Sequence, residues 1–102
     1  MLQPPIVKQP WEEYDCSVDL GADLAVGETL VLDAVTAINV ATSADSTAAV
    51  IATSPAPQIS GTKVLWRTKD GADTEQHKIT GRAHSSLGQK LEFDVLLYIA
   101  EE

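Results

Sequence analysis

Between His77 and Ile99 the chain alternates apolar and polar residues with a period of two, interrupted once by Ser85-Ser86-Leu87-Gly88. Leu91, Phe93, Val95, Leu97 and Ile99 share one parity, and Lys90, Glu92 and Asp94 hold the other. Successive side chains of a strand point to opposite faces, so this pattern describes a strand with one buried face. The stretch before it sets His77, Ile79, Gly81 and Ala83 against Lys78, Thr80, Arg82 and His84. Gly88 can take the positive φ that a tight turn between them requires. An antiparallel hairpin is predicted at this end of the sequence.

The same period recurs upstream. Tyr14, Cys16, Val18 and Leu20 alternate with Asp15, Ser17 and Asp19 until Gly21. After a turn at Ala25-Val26-Gly27, Leu30, Val31, Leu32 and Val35 begin a second strand, and Ile38 and Val40 extend it or start a third. Val64 to Thr68 forms a further strand, closed by the turn-forming pair Asp70-Gly71. Residues 41–58 are rich in Ala, Ser and Thr, carry Val50 and Ile51 as their large apolar residues, and end in Pro55 and Pro57. This stretch reads as an edge strand within loops, followed by a turn over Ile59 to Thr62. No window shows the 3.6-residue periodicity and capping of a three-turn helix. Short strands punctuated by turns every 8–12 residues predict an all-β fold, an immunoglobulin-like antiparallel β-sandwich of about seven strands.

A chain of 102 residues has room for one such core. Two segments are expected: an extended N-terminal arm over residues 1–13 and the sandwich over 14–102. The arm holds three of the five prolines, which remove backbone donors and favour extended geometry. It also carries Leu2, Ile6, Val7 and Trp11, more apolar surface than a simple linker leaves in water. Two destinations are open to it, an edge of its own sheet or another subunit. Leu96 and Tyr98 occupy the otherwise polar parity of the last strand. The outer face therefore turns apolar at that end and calls for a cover. Leu2, Ile6, Val7, Trp11, Leu96 and Tyr98 are the candidate partner-binding residues, with Trp11 the strongest anchor.

Fifteen acidic residues against seven basic ones give a formal charge of −8, which opposes approach to nucleic acid or an anionic membrane. The single cysteine, Cys16, excludes an internal disulfide and fits folding in a reducing cytoplasm. Neither an export signal nor a membrane span is expected, because no charged segment precedes an apolar stretch and no apolar run approaches the roughly 20 residues of a span.

Enzymatic chemistry finds no foothold. His77 and His84 differ in parity and would point to opposite faces of one strand. Glu12, Glu13, Asp15, Asp19 and Asp23 lack the spacing and central glycine of a calcium loop. Neither a Gly-x-Ser-x-Gly elbow nor a glycine-rich phosphate loop occurs. Cys16 lies on the apolar parity of its strand and reads as an inert thiol. Trp66 shares its parity with Val64 and is expected to fill the core. No catalytic, cofactor or metal site is expected.

Several motifs carry a resemblance. Lys8-x-x-x-x-Glu13-Tyr14, Ser17-Val18-Asp19-Leu20, Leu24-x-x-Gly27-Glu28-Thr29-Leu30, Gly61 before the Trp66 strand, Asp70-Gly71, and Ser85-x-x-Gly88 before Leu91-Glu92 run in order through residues 8–102. The chain resembles small structural proteins of tailed bacteriophages and prophages, some of them fiber–tail adaptors. It departs from that pattern at His77, where a tyrosine is common, and in the long alanine-rich stretch 41–58. The resemblance implies a virion protein, made in the host bacterial cytoplasm, that joins tail tube or nozzle to fibers and contacts copies of itself. Two other roles remain open to such a sandwich. One is decoration of the outer head; the other is glycan binding on Trp11 or Tyr14.

Overall fold

The computed structural model describes residues 2–101, folded as two sheets packed face to face. Seven strands form them: β1 (Ile6–Lys8), β2 (Tyr14–Asp19), β3 (Leu30–Asn39), β4 (Gln58–Ser60), β5 (Lys63–Thr68), β6 (Gln76–Ser85) and β7 (Lys90–Ile99). One sheet has the order β1-β7-β6-β3 and the other β2-β5-β4. All pairs are antiparallel except β1 with β7. The fold is thus an all-β sandwich. Among the described residues no helix is long and apolar enough to cross a membrane.

The predicted hairpin is β6 and β7, paired from Gln76↔Tyr98 to His84↔Lys90, with Gly88 at φ +86° in its turn. Its inward parity holds His77, Ile79, Ala83, Phe93, Val95, Leu97 and Ile99, all buried. From the other sheet come Val18, Val64 and Trp66, and the Trp66 ring stacks on Phe93 at 5.7 Å. Gly81 lies directly opposite Phe93. A Cβ there would fall 2.1 Å from the Phe93 ring, so the glycine supplies the space that the largest ring of the hairpin occupies.

β3 is one strand, not two. Its inward residues are Leu30 and Leu32 before Asp33, and Val35 and Ala37 after it. The phase changes because Asp33 is an extra residue in the register, between Leu32↔Ala83 and Ala34↔Arg82. A β-bulge inserts one residue and so returns both halves of a slipped pattern to the same core.

Residues 41–58 hold the expected edge strand only in pieces, an antiparallel bridge of Ile51 to Thr68 and the start of β4 on the same edge of β5. A single helical turn, α1 (Thr47–Val50), packs beside β3, and only Gln58–Ser60 adds a strand, β4. Hydrogen bonds from Ser46 N to Ala37 O and from Ala37 N to Thr47 Oγ1, each 2.9 Å, cover the free edge of β3 at this point. Val50 and Ile51 are then carried into the core. Alanine favours the turn, but one turn is too short to print a helical period.

Replacing Gly81 with Ala should lower stability by about 1–3 kcal/mol, because the added Cβ would overlap the buried Phe93 ring and force it to shift. Urea unfolding checks this, and an unchanged midpoint would contradict the packing described.

Candidate partner-binding surface

The arm runs along the outer edge of β7. Leu2 bridges to Asp94, Gln3 N donates to Asp94 O at 2.8 Å, and β1 pairs in parallel as Ile6↔Leu97, Val7↔Tyr98 and Lys8↔Ile99. Strand parity then sorts the arm's side chains. Ile6 turns inward and packs against the core. Lys8 turns inward as well and is 1% exposed. Val7 stands outward beside Tyr98 at 59% exposure, and Leu2 is 71% exposed.

A buried lysine needs acceptors. The Lys8 ammonium donates to the backbone carbonyls of Gln9 (2.7 Å), Pro10 (3.2 Å) and Asp70. Burial lowers its pKa below 10.5, while the negative charges of Asp70, Glu12 and Glu13 pull it back upward. These bonds tie the segment after β1 to the loop that precedes β6. Ala100 N donates to Lys8 O at 2.9 Å and Glu101 N to Asp73 Oδ1 at 2.8 Å, which brings the C-terminal residues to the same end. Gln9 N donates to Glu12 Oε1 at 2.7 Å and Glu12 N to Gln9 O at 3.1 Å, closing a turn. Trp11 rides on that turn, 90% exposed.

Two rows of the outer face complete the surface. Val7, Tyr98 and Gln76 lie across the first; Leu96, Lys78 and Ile38 across the second. Leu96 and Tyr98 are half-buried, while Ile38 and Val40 are exposed. Farther along, the same face is mostly polar, held by Thr80–Asp94, Arg82–Glu92 and His84–Asp33 contacts, each 2.8 Å. The larger apolar cluster therefore lies at the end where the arm turns, while Val31, beside His84, is exposed farther along the same face. Ile38 and Val40 were missed in the sequence because the Asp33 bulge reverses their parity.

A second buried charge organises the opposite end. Glu28 accepts from the Ser85 hydroxyl, from Ala25 N at 2.8 Å and from the Gln89 amide at 3.0 Å. Ser86 N also donates to Thr29 O at 2.9 Å. The β2–β3 loop and the β6–β7 turn are clasped together, and each presents one exposed apolar tip, Val26 and Leu87. The signal for Glu28 was slight, since a glutamate preceding a strand reads as solvated.

Chemically the rest is quiet. His77 is buried, with Nδ1 2.8 Å from Ser46 Oγ and Nε2 3.3 Å from Glu75 Oε1. Burial raises the Cys16 thiol pKa above its ordinary 9.0, against the opposing effect of Thr68, which disfavours the thiolate that nucleophilic chemistry needs. A groove of about 280 Å³ on the three-stranded sheet is crossed by the Arg67–Asp15 ion pair at 2.8 Å. Among the described residues no three His, Cys, Asp or Glu side chains form a metal-like cluster.

With this geometry in hand, residues 8–98 match the family described as podophage GP4 fiber-tail adaptor protein gp77. The chain belongs to that family, and so to the structural proteins of the bacteriophage tail. No curated protein and no solved structure matches it.

Hydrogen bonds from Ser85, Ala25 and Gln89 hold the Glu28 carboxyl below its ordinary 4.5. The folded state therefore favours the ionised form, and that stability is present above pH 4.5 and is lost as pH falls through the lowered value. Glu28→Gln should be less stable than wild type at neutral pH, with the difference shrinking in acid. Urea midpoints across the acid range check this; a constant difference would contradict the clasp.

Proposed function

We propose that the chain is a non-enzymatic adaptor joining the tail tube or nozzle of a podophage to its fibers, with the arm end as one docking surface. The observation that carries this reading is that the arm, seated on its own sheet, leaves apolar side chains exposed. Ile6 and Lys8 seat it on the sandwich and turn Val7 outward beside Tyr98, while Leu2 and Trp11, outside β1, are exposed as well and Leu96 lies one row further along β7. Apolar anchors held in place by a paired strand or a hydrogen-bonded turn lose less conformational entropy on binding than those of a disordered arm. An adaptor must also hold two partners at once. The molecule measures 43 × 23 × 21 Å, and the ten residues of β7 separate the arm end from the Val26–Leu87 end by about 30 Å. Family membership supports a tail position.

In this reading the partners are other virion proteins, with copies of the chain as neighbours around a symmetric tail, and the protein is made in the host cytoplasm before assembly. The test uses point substitutions in place of removing residues 1–13, because removal would also delete Lys8 and a strand of the sheet. Val7→Ser with Trp11→Ala should fold normally yet be depleted from particles by about tenfold or more, given the usual cost of losing apolar anchors. Immunogold labelling of wild-type particles should mark the tail. Normal incorporation of the variant, or label over the head, would contradict the proposal.

A further inference from the structure

The charge around Trp11 is lopsided. Lys8 draws the Gln9–Glu12 turn, the Asp70 loop and the C-terminal residues together, and so gathers Glu12, Glu13, Asp70, Asp73, Glu75 and Glu101 at the arm end. Four cations share this end with the carboxylates: Lys8, Lys69, Arg67, which is paired with Asp15 and acts on Glu13, and Lys78 on the outer face beside Leu96. The Lys8 ammonium is buried on three carbonyls, and Lys69 lies 3.8 Å from Asp70. An exposed indole thus stands next to Glu12 and Glu13, at an end where carboxylates outnumber cations. At the opposite end Val26 and Leu87 flank one buried glutamate, bonded to Ser85, Ala25 and Gln89.

Resting on the adaptor reading above, we infer that Trp11 inserts into an apolar pocket on a partner tail protein, and that Lys and Arg side chains rim that pocket. A desolvated tryptophan at the centre supplies most of the affinity. Complementary charge at the rim steers encounter and rejects partners of the wrong sign. A second copy of this chain does not fit, because it would bring the same excess of carboxylates and a net charge of −8 to the same place. The turn that bears Trp11 is preformed by the Gln9–Glu12 hydrogen bonds and by Lys8, so the indole is presented without folding on arrival.

The experiment measures binding of the purified full chain to particles assembled without it, at low and at raised salt. Three variants accompany wild type: Trp11→Ala, the triple variant Glu13→Gln, Asp73→Asn and Glu101→Gln, and Leu87→Ser at the far end as a control. Trp11→Ala should weaken binding about 30-fold. The triple variant should associate about tenfold more slowly and lose most of the salt dependence seen for wild type. Sedimentation of the free chain should show no Trp11-dependent self-association. Wild-type binding that is indifferent to both Trp11 and the carboxylates overturns this inference and leaves the adaptor reading standing. Self-association lost in Trp11→Ala overturns it in favour of a second copy as occupant. Failure of wild type to bind the particles overturns the adaptor reading and this inference with it.

Discussion

Everything at the arm end depends on one buried cation. Lys8 places its ammonium among the carbonyls of Gln9, Pro10 and Asp70, inside a fold that leaves it 1% exposed. An unpaired buried charge is costly, so these acceptors are structural requirements and not incidental contacts. Satisfying them fixes where the chain turns after β1, and that turn fixes Trp11. The same residue sets the phase of the arm. With Lys8 facing in, Val7 must face out and Ile6 must face in.

Glu28 does at the other end what Lys8 does here, with opposite sign. Each buried charge gathers loops that otherwise share only strand ends, and each leaves apolar side chains standing outside the structure it has tightened. Val26 and Leu87 lie at one end, Trp11 and Val7 at the other. Between them the two-sheet core is held by packing alone: Phe93 against Trp66 across the sheets, and Phe93 over Gly81 within one. A spacer with bonded ends suits the adaptor role proposed above.

Much of this was legible in the sequence. The β6–β7 hairpin showed itself completely, because a strand with one buried face prints its period directly on the residues. β3 was harder, since the extra residue at Asp33 shifts the apolar phase by one and makes one strand resemble two. Residues 41–58 were legible only in part, for another reason. One turn of helix has too few residues to show a period, and Ala, Ser and Thr give little burial signal. The arm's apolar residues stood out, but their orientation did not. Lysine at position 8 looks like a solvated residue until the Asp70 carbonyl, 62 positions away, is known to meet it.

The arm is bound to its own sheet, and that is what makes Val7 and Trp11 a surface. The direct measurement is native-state amide exchange at Ala100, whose N–H donates to Lys8 O, and at Gln3, which donates to Asp94 O. The account predicts exchange well below the rate of an unstructured peptide at every protein concentration, since both bonds lie within one chain. Free exchange at these two amides in dilute protein, with protection appearing only as concentration rises, would show the arm bound to a neighbour and contradict it.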